Sequence, residues 1–372
     1  MPIKQNKVLA KHEQVEGLLM ERIANGEART GAALPSESRL MRDLKVSRTT
    51  VRRAIGNLVR QGVLDSRAGF GHVVRSTESR PVIGIIYKHS LFGADLVPYF
   101  SLQLEALQRE LERRACTMRV YATELDKSCW DDLEQLQRDA RRGRLVGVVG
   151  LGWPTGPDDP LALRRRDAEL TQLFREVGLP FTALTELDVP AAVALDYEAL
   201  GFLGTDHFLK RGIREVALMT FTYSRGAYPK RAVKGFLRAL EAHGLPFRND
   251  RVLRVGPETE SGAYKTFKAW WPRSGHPGAL VIDDDSLNKG VMIAALELGV
   301  AVPKQLALAA LTIKGSRTFY PCPFIPLEID PDENARVAID RLLKMIANPE
   351  VVPPPLLLEP RIVPQTTKGD TP

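Results

Sequence analysis

Residues 34–60 read LPSESRLMRDLKVSRTTVRRAIGNLVR, and the order of caps, apolar positions and arginines in this stretch decides the fold of the N-terminal part. Ser36 is a good N-cap with Glu37 in the first turn behind it, so a short helix is expected to run to about Leu44. Ser47 caps a second helix, from Arg48 to about Arg60. Its apolar residues Val51, Ala54, Ile55, Leu58 and Val59 recur at i, i+3, i+4, i+7 and i+8, which is one buried stripe. At about 100° per residue, Thr49, Arg52, Arg53, Gly56 and Arg60 gather on the opposite face. That face sets arginines among short side chains and has no carboxylate.

Upstream, residues 12–25 place Val15, Leu18, Leu19 and Ile23 at helical spacing and stop at Asn25-Gly26. Downstream, Gln61-Gly62 ends the arginine helix. Val63-Leu64-Asp65-Ser66-Arg67 and His72-Val73-Val74-Arg75 then read as two strands around a turn at Ala68-Gly69-Phe70-Gly71. Three helices and a hairpin make a winged helix-turn-helix, which lays its last helix in the major groove of double-stranded DNA while the wing reaches the flanking backbone. Charge agrees with this reading. Residues 1–80 hold 15 Lys and Arg against 8 Asp and Glu and so carry the entire net charge of +7; the remainder is balanced at 37 each. Arg48 and Arg52 suit guanine edges or phosphates, and Thr49 and Thr50 suit phosphates or thymine methyls. Arg53 shares their face, and Gly69 lets the wing backbone approach a duplex closely. A merely solvated basic helix face and a membrane-surface helix are the alternatives; the latter needs a continuous, strongly apolar face that these short helices lack.

Leu34-Pro35-Ser36-Glu37, Val46 to Arg52, Leu58, Gly62 and Gly69-Phe70-Gly71-His72-Val73-Val74 resemble the GntR-type winged-helix regulators over about residues 10–76. The resemblance implies DNA contacts at Arg48, Thr49, Thr50, Arg52 and Gly69. A basic contact found in some members falls on Ser38, where the neighbouring Arg39 is the candidate substitute.

The 372 residues are enough for two or three domains, and 44% hydrophobic with 26% charged residues suits a chain with a substantial core. No apolar run approaches the roughly 18 residues of a membrane span. The N-terminus lacks a secretory pattern, and the odd, scattered Cys116, Cys129 and Cys322 suggest neither disulfides nor zinc. A cytoplasmic protein is expected. Residues 1–76 form the DNA-binding domain in this reading, 77–81 a polar linker ending in Pro81, and 82–364 a larger α/β domain. Strands at 82–87, 118–121, 145–149 and 181–184 alternate with helices, and a second alternation runs from strand 192–195 to strand 306–311. Two such series predict two parallel-sheet subdomains, with a ligand between them at the carboxyl ends of the strands.

No catalytic constellation emerges. Gly147 to Gly152 follows a strand but is neither a dinucleotide fingerprint nor a P-loop, so it reads as sheet packing. Asp283-Asp284-Asp285 sits between a strand and a helix without further ligands at metal spacing, which favours a helix cap with a ligand-facing carboxylate over a metal site. No cofactor and no metal are expected, and no enzymatic activity.

Pro98-Tyr99-Phe100, Val193 to Asp196, Gly235-Phe236, Gly244-Leu245-Pro246, Glu260-Ser261-Gly262, Asp284-Asp285 with Gly290, Gly299 to Pro303 and Asp330-Pro331 resemble, in order and spacing, the effector domain of the LacI/GalR family. That domain is periplasmic-binding-protein-like. Regulators of the arabinose-repressor type fuse the same two modules. The resemblance implies a homodimeric repressor on operator DNA, switched by a small-molecule effector, a sugar by family default. Tyr99 and Phe100 are its candidates for ring stacking, and Arg231, Asp284 and Asp285 for hydrogen bonds to hydroxyls. Three features depart from the family: Leu311-Thr312-Ile313 stands where an aspartate grips the effector, the stacking aromatic near Pro257 is absent, and Arg231 lies four residues before Gly235 rather than three. Two other classes stay open: a catalytic domain fused to a DNA-binding module, and a small-molecule binding protein whose basic segment is incidental.

Overall fold

In a computed structural model, residues 11–24, 32–60, 63–67, 71–74, 80–87, 98–122, 130–152, 161–185, 191–221, 228–256 and 259–364 are described. The chain separates into two units, Met1–Arg80 and Pro81–Pro372. The first unit contains helices α1 (Lys11–Ala24), α2 (Glu37–Leu44) and α3 (Arg48–Arg60) and the strands β1 (Leu64–Arg67) and β2 (Gly71–Val74). Ser36 starts α2 by accepting a hydrogen bond from the Arg39 amide at 3.3 Å, and Lys45 ends it in the left-handed conformation at φ 52°. The expected stripe of α3 is largely buried: Val51, Ala54, Ile55 and Leu58 meet Val15, Leu19, Leu40, Leu64 and Val74 in one core. Each such side chain taken out of water contributes about 1.5–3 kcal/mol. On α1 the core stripe is Val15, Leu19 and Ile23, at i, i+4 and i+8, and Leu18 turns outward with 45% of its surface exposed.

β1 and β2 pair antiparallel, from Leu64 opposite Val74 to Arg67 opposite Gly71. A third segment joins them. The Leu34 amide donates to His72 O at 2.7 Å and the Val74 amide to Ala32 O at 3.0 Å, so the break before Pro35 adds an edge to the wing.

The second unit holds two six-stranded sheets. β3 (Val82–Tyr87), α4 (Pro98–Arg113), β4 (Thr117–Ala122), α5 (Trp130–Arg141), β5 (Gly147–Leu151), α6 (Leu161–Glu176), β6 (Phe181–Leu184) and β7 (Val193–Leu195) build the first subdomain. α7 (Tyr197–Leu209), β8 (Val216–Phe221), α8 (Tyr228–Ala242), β9 (Val252–Val255), α9 (Thr259–Trp270), β10 (Ala279–Ile282), α10 (Asp285–Glu297) and β11 (Ala307–Ile313) build the second. The buried-strand runs are continuous because helices cover both faces of a parallel sheet.

The sequence alternation stops short of the real topology. β12 (Ile325–Ile329) joins the second sheet beside β11, but α11 (Pro331–Ala347) packs on β5, β6 and α4 of the first subdomain. β13 (Leu356–Leu358) then pairs with β7, and β14 (Arg361–Ile362) returns antiparallel to β12. The backbone therefore crosses between subdomains three times, at Leu195–Tyr197, Ile329–Pro331 and Leu358–Arg361. The Asp196 amide donates to Leu358 O at 2.8 Å and ties two of the crossings together. Gln103 of α4, fully buried, donates to Pro331 O at 3.1 Å and accepts from Asn334 at 3.2 Å at another.

Glycines set the close contacts. A Cβ at Gly147 would meet Leu342 and Ile346 of α11 at 3.0 and 3.1 Å, which accounts for the glycine in β5 as sheet packing. A Cβ at Gly235 would strike the Glu198 carbonyl, so α7 and α8 approach only because that position is bare.

Candidate functional site

The N-terminus of α3 is organised by one hydroxyl. Ser47 Oγ accepts from the Thr50 amide at 3.2 Å and lies 2.9 Å from Thr49 Oγ1 and 2.8 Å from Thr50 Oγ1. It caps the helix and holds both threonines in one orientation. No acidic residue lies in the first turn, so the positive end of the helix dipole is not offset by its own side chains. Arg48, Arg52 and Arg53 are exposed on the face opposite the core. Arg52 is not loose: its Nε donates to both carboxylate oxygens of Glu37 at 3.2 and 3.0 Å. Arg39, on α2, makes a long ion pair with Asp43 at 3.8 Å and is 69% exposed at its side chain, while Ser38 beside it is also exposed. Across the wing, Ser66 Oγ is 3.0 Å from His72 Nδ1. Gly69 lies outside the described residues.

In the second unit, Tyr99 and Phe100 occupy the first turn of α4 at the carboxyl end of the first sheet. Their rings meet edge-on at 5.2 Å, and Phe100 meets Tyr87 at 6.0 Å. Phe100 packs on the core of the first subdomain and Tyr99 on that of the second, so the pair straddles the junction. Asp284 caps α10: its carboxylate accepts from the Ser286 amide at 2.9 Å and from the Ser286 hydroxyl. Burial, reinforced by the Asp284 carboxylate, pushes Asp285 up to about 7. Arg231 lines a groove with Asp196, Glu198, Lys234, Arg238 and Glu359, where α7 and α8 meet the segment after β13.

Sequence reasoning missed a second aromatic pair. Tyr320 and Phe324, in the segment after β11, meet edge-on at 4.9 Å. The Tyr320 hydroxyl is held neutral by burial and by the charges of Asp285 and Asp284. The run Phe319-Tyr320-Pro321-Cys322-Pro323-Phe324 was the available signal. Around the same strand ends, the Thr220 and Thr312 hydroxyls and both amide atoms of Asn288 are buried without a hydrogen-bond partner among the described residues. Such groups cost about 1–3 kcal/mol each when unsatisfied, so a polar guest or ordered water belongs there. No group of three His, Cys, Asp or Glu among the described residues is placed to hold a metal ion. No helix among them is long and apolar enough to cross a membrane.

Residues 11–74 match the model of bacterial regulatory proteins of the gntR family, and residues 205–367 match that of the periplasmic binding protein-like domain. The chain joins a GntR-type winged helix to a periplasmic-binding-protein-like domain. It is 22% identical over 329 residues to the arabinose metabolism transcriptional repressor of Geobacillus stearothermophilus, covering 82% of each chain. It is 25% identical over 173 residues to the transcriptional repressor PurR of Yersinia pestis, covering 46% of this chain and 50% of that protein. Among solved structures it resembles a complex of the transcriptional regulator CelR with cellobiose, with TM-score 0.61, 17% identity and coverage of 86% of this chain and 90% of the other. It also resembles the lac repressor dimer bound to operator and an anti-inducer, with TM-score 0.58, 16% identity and coverage of 78% and 94%. These relatives are transcriptional regulators, not enzymes. Arg39, Arg48, Thr49, Thr50, Arg52 and Arg53 fall inside the GntR-type segment. Arg231, Asp284 and Asp285, together with Tyr320 and Phe324, fall inside the binding-protein-like one.

Proposed function

We propose that this chain is a sequence-specific transcription regulator, a repressor, that binds operator DNA as a homodimer and is released or engaged by a small polar effector of the sugar class. The observation that carries the reading is the α3 face: Arg48, Arg52 and Arg53 exposed behind a Ser47-capped terminus that orients Thr49 and Thr50. In a winged helix that end lies closest to the bases. Arg48 and Arg52 read base edges, Thr49, Thr50 and Arg53 position the phosphates, Arg39 supports them from α2, and Gly69 brings the wing to the backbone. Two copies related by a two-fold axis call for an inverted repeat with half-sites one or more helical turns apart.

The effector enters between the subdomains. Asp284 and Asp285 offer hydrogen bonds, as do Thr220, Asn288 and Thr312, which are unpartnered among the described residues. Tyr320 and Phe324 join Tyr99 and Phe100 as aromatic walls; Arg231 is a flanking contact. A molecule bridging both sheets favours the closed arrangement about the three crossings, and it shifts the population of DNA-competent dimers by its difference in affinity for the two states. Selection of bound fragments from genomic DNA, followed by gel-shift titration, tests the reading. The parent should discriminate its recovered site from bulk DNA by at least about a thousandfold at physiological salt. Arg48→Ala should lose about 1–3 kcal/mol and relax the base preference at one position. Equal affinity for every duplex refutes sequence-specific binding.

A further inference from the structure

Two buried carboxylates of the first subdomain each hold more guanidinium charge than they can neutralise. Glu110, 4% exposed, accepts from Arg113 at 3.1 Å and Arg114 at 3.0 Å. Asp139, fully buried, accepts from Arg119 at 2.8 Å and Arg144 at 3.1 Å, and also from Tyr121 and Gln135. One arginine would satisfy each carboxylate. The four guanidinium side chains stay between 38% and 63% exposed. Arg141 and Arg142, on the same turn as Arg144, are exposed as well. Arg114 also pairs with Asp340, which Arg336 shares, and Glu112 lies two residues after Glu110 on α4. Six arginines against these four carboxylates give the edge an excess of two positive charges, within a domain whose charges balance as a whole.

Its place in the fold gives the charge a direction. Arg113 and Arg114 lead into β4, and Arg141, Arg142 and Arg144 lead into β5. Those strands flank β3 in the parallel sheet. The arginines therefore sit around the amino edge, opposite the edge where Tyr99 and Phe100 meet the second subdomain. The tether enters β3 at this edge: Pro81 O accepts from the Thr117 amide at 2.9 Å and Val82 O from the Val146 amide at 3.0 Å. Six residues separate Val74 of the wing from Pro81, a span of at most about 25 Å when fully extended. That reach is shorter than one turn of duplex, roughly 34 Å.

We propose that this arginine edge is a second DNA surface, which grips the phosphates of the duplex flanking the site held by α3. The inference rests on the DNA-binding reading above. A guanidinium anchored on one side by a buried carboxylate keeps its outer N–H groups aimed at solvent, so it loses little freedom on meeting a phosphate. The contacts carry no base preference. They add affinity and salt dependence to any duplex long enough to reach them.

The test uses the full chain and the duplex recovered by genomic selection, once trimmed to the winged-helix footprint and once extended by about a helical turn on each side. Arg141→Glu/Arg142→Glu changes exposed side chains and leaves the Glu110 and Asp139 pairs intact; an unchanged melting temperature establishes folding. The parent should bind the extended duplex more tightly than the trimmed one. The variant should lose part of that gain, keep its affinity for the trimmed duplex, and show a log–log salt slope on the extended one shallower by about 2. A parent indifferent to duplex length, or a variant that keeps the gain and the slope, overturns the proposal. A parent that prefers no duplex at all fails earlier and overturns the DNA-binding reading with it.

Discussion

Arg52 Nε reaches both carboxylate oxygens of Glu37, at 3.2 and 3.0 Å, and so pins the central arginine of α3 to the first turn of α2. The Arg52 side chain is 64% exposed and that of Glu37 26%. An exposed pair of this kind stabilises the fold by less than about 1 kcal/mol. Its consequence is orientation.

Glu37→Gln should therefore leave the melting temperature nearly unchanged while altering discrimination. With one negative charge removed, affinity for unrelated duplex should rise and its salt slope steepen, because Arg52 is freed for any phosphate. Affinity for the recovered operator should rise less or fall. Titrations of both duplexes across a salt series give the ratio, and an unaltered specificity ratio would refute the orienting role of Glu37.

Ser47→Ala tests the cap that organises the other end of the face. Losing the acceptor for the Thr50 amide costs about 1 kcal/mol of stability, readable in urea unfolding. Thr49 and Thr50 also lose their shared partner, so operator affinity should fall by more than unfolding alone explains. Ser47→Thr keeps a hydroxyl and should restore most of both. A Ser47→Ala chain with parental operator affinity would remove the threonine pair from the reading face.

The winged helix was legible because each of its decisions is local. Ser36 and Ser47 announce their helices, and the stripe from Val51 to Leu58 announces its buried face. The Ala32–Leu34 edge was not, since two bridging residues show no alternation. In the larger domain most strands through β11 stand out as apolar runs. The tail does not: β13 and β14 are three and two residues long, and no periodicity tells α11 to pack on the other sheet. Asp330 capping and Pro331 opening that helix were visible signals, but its destination depends on the bare surface at Gly147. The cleft was half legible. Asp284 and Asp285 stood out as candidates, whereas Tyr320 and Phe324 sit in a loop whose course the aromatic run alone does not encode.

Asp285 gives the domain an unusual pH response. Burial, with Asp284 adding repulsion, raises its carboxyl to about 7, above the roughly 3.9 of an unfolded chain. The folded state thus holds a proton that the unfolded state has released, and this group contributes a stability that declines as pH rises from about 4 to about 7. Asp285→Asn keeps the neutral form at every pH. It should exceed the parent in stability by on the order of 4 kcal/mol at pH 8 and match it near pH 4. Thermal unfolding of both chains across that range measures the difference, and parallel curves would show that Asp285 is ionised in the folded protein.

Tyr320 carries the sharpest test of the cleft. Its ring meets Phe324 edge-on at 4.9 Å, an aromatic face of the kind a sugar ring stacks on, and its hydroxyl feels the charges of Asp285 and Asp284. A thermal-shift screen of sugars should yield a ligand, and one present at about 100 times its dissociation constant stabilises the chain by about 2.7 kcal/mol. Against that ligand, Tyr320→Ala should weaken binding by about tenfold, equivalent to about 1.4 kcal/mol. Tyr320→Phe, which keeps the ring and drops the hydroxyl, should lose distinctly less. The ordering separates stacking from hydrogen bonding: equal losses in the two variants would assign the contact to the hydroxyl. A Tyr320→Ala chain that still shifts as the parent does would place the effector away from this aromatic pair.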